Sequence, residues 1–241
     1  MGKIGRGYGS EWHLLRYLGY HRTFLQNEII SKTGGDNIQW LDFKFSNKNK
    51  PLKRSHELKG VEFLDEQIYA RQRRLWKEYW PQRGNAPNWD AVGQLFTKDK
   101  REWLLVEAKS HVEELNSYCN AEPRSKKKIA DALEQAMKSY KVEDVSVEKW
   151  LNGYYQFCNR LTMLHFLEKV CDPPSSTHLL MIYFYGDQKK GWNCPQSYLE
   201  WKSELDKMYK EIGLVDQSDL MRKVHTVYLS VNPNVIFSRA L

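Results

Sequence analysis

Residues 88–111 have the sequence NWDAVGQLFTKDKREWLLVEAKSH, in which two apolar runs lie on either side of the polar turn TKDKR. This pattern predicts a β-hairpin with strands at residues 88–96 and 102–111. Side chains alternate along a strand, so Glu107 and Lys109 face the same side of the predicted sheet. Trp103 and Leu105 share that face. An apolar strand therefore ends in an acid and an amine on one surface.

The register of this hairpin places a second acid beside the first. If the turn is centred between Lys98 and Asp99, the pairing continued outward brings Asp90 directly opposite Glu107. Opposed residues share a face, with Cβ atoms about 4.5–5.5 Å apart. A bulge in either strand would shift this register by one residue.

Two carboxylates at this separation repel each other unless a cation lies between them. A divalent cation with oxygen ligands fits such a gap. Lys109, beside the cation, could orient or activate an attacking water, or stabilise developing negative charge. Asp90, Glu107 and Lys109 therefore predict metal-dependent hydrolysis of a phosphodiester.

The tripeptide Glu-x-Lys carries little information by itself. Asp42 and Lys44 form a competing pair in the strand-like segment NIQWLDFKF, residues 37–45. The alternative for Glu107 and Lys109 is an ordinary surface ion pair, which would contribute only about 0–1 kcal/mol.

The remaining pattern predicts an α/β domain with a mixed central sheet flanked by helices. Further strands are predicted at residues 37–45, 178–186 and 225–231, and helices at residues 10–18, 62–80, 126–140, 147–170 and 195–212. The whole chain, residues 1–241, is predicted to be one domain. Residues 46–87 form a basic loop and helix inserted before the hairpin.

Composition narrows the possible partners. Lys and Arg outnumber Asp and Glu by 37 − 30 = 7, which favours a polyanion such as nucleic acid. The four cysteines form no CxxC pair, so a zinc ribbon and a disulfide framework are both disfavoured. The start of the chain has no apolar signal segment, and no run is long enough to span a membrane. These features predict a cytoplasmic protein without a membrane partner.

The residues of the hairpin resemble the PD-(D/E)XK nuclease superfamily. Asp90 in NWDAVG matches the first acid of that signature, and Glu107 and Lys109 in VEAK match the rest. Trp89 stands where the family usually has proline. The segment GYGSEWHLLRYLG resembles the first helix of many members, with Glu11 as an additional acid. QAMKSY offers Gln135 for the glutamine of one branch, although its tyrosine is one residue too far along.

This resemblance implies a restriction-endonuclease-like fold and an Mg²⁺- or Mn²⁺-dependent deoxyribonuclease, most simply an endonuclease. Asp90, Glu107, Glu11 and the carbonyl of Ala108 would hold the metal, and Lys109 would assist the water. The candidate contacts with the nucleic acid are Lys126, Lys127, Lys128, Arg73, Arg74, His111 and Gln135. A homodimer is an open possibility. The alternatives are an inactive nucleic-acid-binding module of the same fold and a basic protein-interaction domain.

Overall fold

A five-stranded mixed sheet forms the centre of the protein. The computed structural model describes residues 7–41, 57–82, 86–214 and 218–233. The sheet contains β1 (Asn37–Trp40), β4 (Ala91–Phe96), β5 (Arg101–Lys109), β8 (Thr177–Tyr185) and β9 (Val224–Ser230). Two short pairs lie outside it, formed by β2 (Leu58–Lys59) with β3 (Asn88–Trp89) and by β6 (Ser117–Tyr118) with β7 (Asn152–Gly153).

Helices cover both faces of this sheet. They are α1 (Ser10–Tyr20), α2 (Arg22–Thr33), α3 (Ala70–Tyr79), α4 (Pro123–Ser139), α5 (Val147–Leu151), α6 (Tyr155–His165) and α7 (Tyr198–Glu211). A π-helical turn, Phe166–Val170, extends α6, and 3₁₀ turns lie at Val112–Leu115 and Met221–Lys223. The predicted α/β class with a mixed sheet is confirmed, whereas the restriction-endonuclease-like fold stays a prediction.

The strand order β1-β4-β5-β8-β9 positions the predicted site. β4 and β5 are antiparallel, and β5, β8 and β9 are parallel. The predicted hairpin register, with Leu95 opposite Glu102, is present from the turn as far as the pair of Ala91 with Val106. Because parallel strands end at the same edge, Lys109 at the end of β5 lies beside the end of β8.

Each face of the sheet has its own apolar core. The face that carries Trp103 and Leu105 packs against α3, α4, α6 and α7, whereas the face that carries Val106 and Ala108 packs against α1 and α2. This division follows the alternation predicted for β5. Glu107 and Lys109 therefore lie on the side of the sheet covered by α6.

The segment before the hairpin belongs to the first of these cores. Its helix was expected at residues 62–80 but begins only at Ala70, because turns occupy residues 61–69 and the Asp65 carboxylate accepts the backbone N–H groups of Gln67 and Ile68. Trp76 stacks on Trp80 with ring centroids 5.5 Å apart. Part of the predicted basic loop, residues 46–56, lies outside the described residues.

Other elements also differ from the prediction. The helix expected at residues 147–170 is interrupted by Asn152 and Gly153, which pair with β6 as strand β7. The first helix, expected at residues 10–18, continues to Tyr20. The helix α2 was not predicted, because its apolar residues do not gather on one face and so gave no clear periodic signal. Among the described helices, none combines the length and the apolar composition that a membrane crossing requires.

A hydrogen-bonded histidine pair lies at the edge of the sheet opposite Lys109. His178 Nδ1 is 2.8 Å from His225 Nε2, and His178 Nε2 is 3.2 Å from a carboxylate oxygen of Glu102. All three residues are the second in their strands, so the parallel order brings them together. Burial, followed by the charges of His178 and Lys223, lowers the pKa of His225 to about 4. Burial also lowers the pKa of His178.

The histidine pair predicts a loss of stability in mild acid. A histidine whose pKa is depressed in the folded state stabilises the protein above its unfolded pKa, and that contribution is lost as the pH falls from about 6.5 towards about 4. His225→Gln removes one titrating group, so its melting temperature should fall less steeply across this window. Thermal melts of wild type, His225→Gln and the control His21→Gln test this. Parallel curves for wild type and His225→Gln would contradict it.

Candidate active site

Asp90 lies where β4 leaves the sheet. The strand predicted at residues 88–96 is split there, because Asn88 and Trp89 pair with β2 instead. The Asp90 N–H donates to the Val106 carbonyl over 3.0 Å, and its Oδ2 accepts the Ala108 N–H over 2.7 Å. Regular pairing ends at Ala91 opposite Val106. Asp90 was predicted to be a regular strand residue directly opposite Glu107, but it lies just outside the regular pairing. Its carboxylate accepts the Ala108 N–H beside the end of β5, where a main-chain carbonyl would otherwise do so.

Glu107 is compensated by two cations. Its side chain is only 2% exposed. Lys109 Nζ lies 2.5 Å from Oε1, and the Arg160 Nε and Nη2 atoms lie 3.0 and 2.8 Å from Oε2. Burial is the largest influence and pushes the pKa of Glu107 upward, but Arg160 and Lys109 outweigh it and hold that pKa below its ordinary value. Glu107 is therefore a carboxylate at neutral pH.

Lys109 is held as an ammonium ion. Its Nζ also donates to the Gln156 Oε1 over 2.8 Å. Burial lowers the pKa of Lys109, but Glu107, Glu114 and Asp90 outweigh it in that order, so the pKa ends above the ordinary value. An amine that keeps its proton cannot accept one from water. Of the roles expected for Lys109, this environment supports orientation and charge stabilisation rather than deprotonation of the water.

Arg160 belongs to the site although the sequence did not predict it. Its guanidinium also donates to the Asn88 carbonyl over 2.5 Å and to Asn159 Oδ1 over 2.6 Å, and it lies 5.0 Å from the centroid of the Trp89 ring. It thereby ties α6 to β5 and to the segment before Asp90. A signal was present, because arginine within an apolar helix is rarely buried without a partner.

Asp90 differs from Glu107 in its charge state. Burial, followed by the negative charge of Glu107, raises the pKa of Asp90 to about 8, against the opposing influences of Lys109, the Ala108 N–H and Arg160. Glu107 is thus ionised at neutral pH, whereas Asp90 is largely protonated. A bound cation would reverse this, because positive charge favours the carboxylate form.

Removing the charge of Asp90 should stabilise the protein at high pH. A carboxyl group whose pKa is raised in the folded state adds stability below its unfolded pKa, and that stability is lost as the pH rises from about 4 to about 8. Asp90→Asn does not titrate and can still accept the Ala108 N–H. At pH values above about 8, the melting temperature of the variant should exceed that of wild type by roughly 3–6 °C. Near pH 5 the difference should be smaller.

Melting curves without added metal check this expectation. Asp99→Asn, in the exposed hairpin turn, is the matched control and should follow wild type at every pH. If Asp90→Asn changes the melting temperature equally at both ends of the range, ionisation of Asp90 is not what limits the stability.

The oxygen donors at this site fit a magnesium-type ion. Within the described ranges, no group of three or more His, Cys, Asp or Glu side chains is arranged to hold a metal. The donors available are the Asp90 and Glu107 carboxylates and the Ala108 carbonyl, which lies on the same strand edge as the Ala108 N–H. Mg²⁺ needs only one or two protein carboxylates because it retains several waters. The raised pKa of Asp90 shows that its carboxylate form lacks enough positive charge nearby, and such an ion would supply it.

A third acid, Glu114, lies at the end of β5. One of its oxygens accepts the backbone N–H groups of Ser110 and His111 over 2.6 and 3.3 Å, and the other accepts the Ser10 hydroxyl over 2.8 Å. This last contact attaches the start of α1 to β5. Glu11 occupies the first turn of that helix, and its role as a metal-supporting acid stays a prediction.

Four of the seven predicted contact residues have partners within the protein, and one of these is His111, whose Nδ1 lies 3.0 Å from a Glu113 carboxylate oxygen. Lys126 Nζ lies 3.8 Å from Glu148, and Lys128 Nζ donates to the Lys77 carbonyl over 3.1 Å. Arg73 binds the Leu64 carbonyl and Glu66, each over 2.7 Å.

The structure leaves Lys127, Arg74 and Gln135 exposed. Gln135 lies on the outer side of α4, outside the buried site, and its role as a nucleic-acid contact stays a prediction. The glutamine that contacts Lys109 is Gln156 on α6. Its signal in the sequence is its position four residues before Arg160, which places both side chains on one side of a helix.

Comparisons of the chain with protein-family models, with curated proteins and with solved structures found no match. The interpretation of the site therefore depends on the geometry of this chain.

Proposed function

We propose that this protein is a metal-dependent nuclease that hydrolyses phosphodiester bonds, most simply in DNA. The observation that supports this is the meeting of Asp90, Glu107 and Lys109 at one end of β5. Two acids and an ammonium ion at the edge of a sheet provide both a cation site and a positive group for a phosphate. An ordinary surface ion pair would not be as deeply buried as Glu107 and Lys109 are.

Each residue has a distinct task in this proposal. Asp90 and Glu107, with the Ala108 carbonyl, would hold Mg²⁺ or Mn²⁺. Such an ion, when bound, lowers the pKa of a coordinated water and neutralises charge on the phosphoryl group. Lys109 stabilises the charge that develops on the phosphate oxygens, and Gln156 fixes the position of its ammonium. Arg160 keeps Glu107 ionised and in place.

The basic surface supports a nucleic-acid substrate. Exposed cations such as Lys127 and Arg74 would contact backbone phosphates, and such contacts release counterions, so binding should weaken steeply with salt. They carry little sequence information, because phosphates are the same at every position. The proposed partner is therefore DNA bound mainly through its backbone.

One observation favours the inactive nucleic-acid-binding module as a second candidate. Arg160 places two nitrogens on one oxygen of Glu107, and Lys109 takes the other. A cation must share Glu107 with these groups. If it cannot, the same residues would form a positively charged pocket that binds phosphate without cleaving it.

A cleavage assay on labelled single-stranded and duplex DNA separates the two candidates. The nuclease requires products with Mg²⁺ or Mn²⁺, no products with EDTA, and loss of cleavage in Asp90→Asn. Salt-sensitive binding without cleavage in either metal would support the binding module. Absence of both binding and cleavage would reject both candidates.

A further inference from the structure

An exposed tryptophan lies next to the proposed active site. His111 follows Lys109 by two residues, so the two Cα atoms are at most about 7 Å apart. The ring centroid of Trp192 lies 3.7 Å from that of His111. Trp192 is among the few large apolar side chains that the described surface exposes.

The segment that carries Trp192 is fixed to the end of β5. The Val112 N–H donates to the Asn193 carbonyl over 2.9 Å, and the Asn193 N–H donates to the Glu113 carboxylate over 3.1 Å. The backbone N–H of Trp192 donates to the Lys189 carbonyl over 3.1 Å and closes a turn. Trp192 is therefore held in a defined position relative to Lys109, as a preorganised binding surface requires.

A cation lies against this aromatic surface. Lys189 Nζ lies 3.0 Å from the centroid of the Trp192 ring and 4.4 Å from that of Tyr8, and the two rings are nearly perpendicular. An ammonium ion on an exposed ring is held weakly and can exchange for another partner. A phosphate near Lys189 would compete for the ammonium and free the face of Trp192.

The charge around Trp192 favours a polyanion. The surrounding groove also includes Lys190 and the exposed Gln188. Its acid, Asp187, is buried and turned inward, with Oδ2 3.0 Å from His13 Nε2 and 2.9 Å from the Gly9 N–H that it accepts. A second acid beside the groove, the half-exposed Glu113, is bonded to His111 Nδ1 at 3.0 Å and accepts the Asn193 N–H. Lys189 and Lys190 outnumber this one exposed carboxylate next to the indole.

We propose that Trp192 and Lys189 form a stacking site for an unpaired base next to the phosphate at Lys109, an inference that rests on the proposed nuclease function. A flat aromatic surface beside cations binds single strands because every base has a face to stack. A base inside a duplex is already stacked and paired, so it cannot use this surface. The preferred substrate therefore has single-stranded nucleotides beside the scissile phosphate.

Binding without cleavage tests the stacking site. Fluorescence anisotropy in EDTA compares three labelled probes: an oligothymidylate, a strand of the same length with abasic sites throughout, and a blunt duplex. Trp192→Ala should weaken binding of the oligothymidylate about tenfold and leave the abasic strand and the duplex unchanged. Trp192→Phe should recover much of the loss. Lys189→Ala should reduce the salt dependence of binding by about one phosphate contact.

Tyr20→Ala is the matched control, because Tyr20 is 91% exposed at the far end of α1. The inference is overturned if Trp192→Ala binds the oligothymidylate as wild type does, or weakens the abasic strand equally. Either result leaves the nuclease proposal intact while wild type still binds DNA. Failure of wild type to bind any of the probes would reject the nuclease proposal together with this inference.

Discussion

Replacing Lys109 by methionine is expected to reduce the rate of DNA cleavage about 10²–10³-fold, the usual effect of removing one charge-stabilising group from an active site. Methionine retains the length and apolar character of the side chain and removes only the positive charge. Glu107 keeps Arg160 as a partner, so the fold should persist. Single-turnover cleavage with saturating Mg²⁺, alongside a thermal melt, measures both quantities.

Lys207→Met is the matched control for this substitution. Lys207 also pairs with a glutamate, at 2.7 Å, but on the exposed surface of α7. Its loss should leave cleavage unchanged. If Lys109→Met cleaves DNA at the wild-type rate, the amine has no part in the reaction. If Lys109→Met is unfolded, Lys109→Arg, which keeps the charge, distinguishes a structural effect from a chemical one.

Replacing Arg160 by methionine is expected to lower the free energy of unfolding more than the substitutions of Asp90, Lys109 or His225. Glu107 would keep only Lys109, and the Asn88 carbonyl would lose a donor in a partly buried environment. Breaking a buried ion pair by removing one partner costs about 3–5 kcal/mol. For a chain of this size, that lowers the melting temperature by roughly 10 °C.

A double-mutant cycle identifies the cause of this loss. Glu107→Gln with Arg160→Met removes both charges of the pair, so the double variant should lose less stability than the sum of the two single variants. Arg222→Met is the control, because Arg222 is exposed and pairs with Asp219, also exposed, at 3.7 Å. An Arg160→Met melting temperature equal to that of the control would show that the buried contact with Glu107 contributes nothing.

The sequence predicted the parts of the site that depend on neighbouring residues. The hairpin connects β4 and β5 through a short turn, so polarity and alternation were enough to predict the pairing of Leu95 with Glu102 and the shared face of Glu107 and Lys109. The split at Asp90 was not predictable, because it depends on Asn88 and Trp89 pairing with β2, about 30 residues earlier in the chain.

The parts that sequence reasoning missed are contacts between distant segments. Gln156 meets Lys109 across 47 positions, and Arg160 meets Glu107 across 53. Helical periodicity indicates which side of α6 is apolar, but not which strand that side will cover. Gln135 was chosen because it resembles the glutamine of one branch of the family, but α4 turns that residue to solvent, and α6 supplies the glutamine that contacts Lys109.

The late position of Arg160 in the chain has a consequence for synthesis. A nascent chain that has emerged through β5 contains Asp90, Glu107 and Lys109 but not yet the guanidinium that neutralises the second oxygen of Glu107. Until α6 emerges and docks, that carboxylate must stay hydrated, and water around it opposes burial of the apolar residues beside it. Completion of the hydrophobic core and neutralisation of Glu107 should therefore occur in one cooperative step after α6 has been translated.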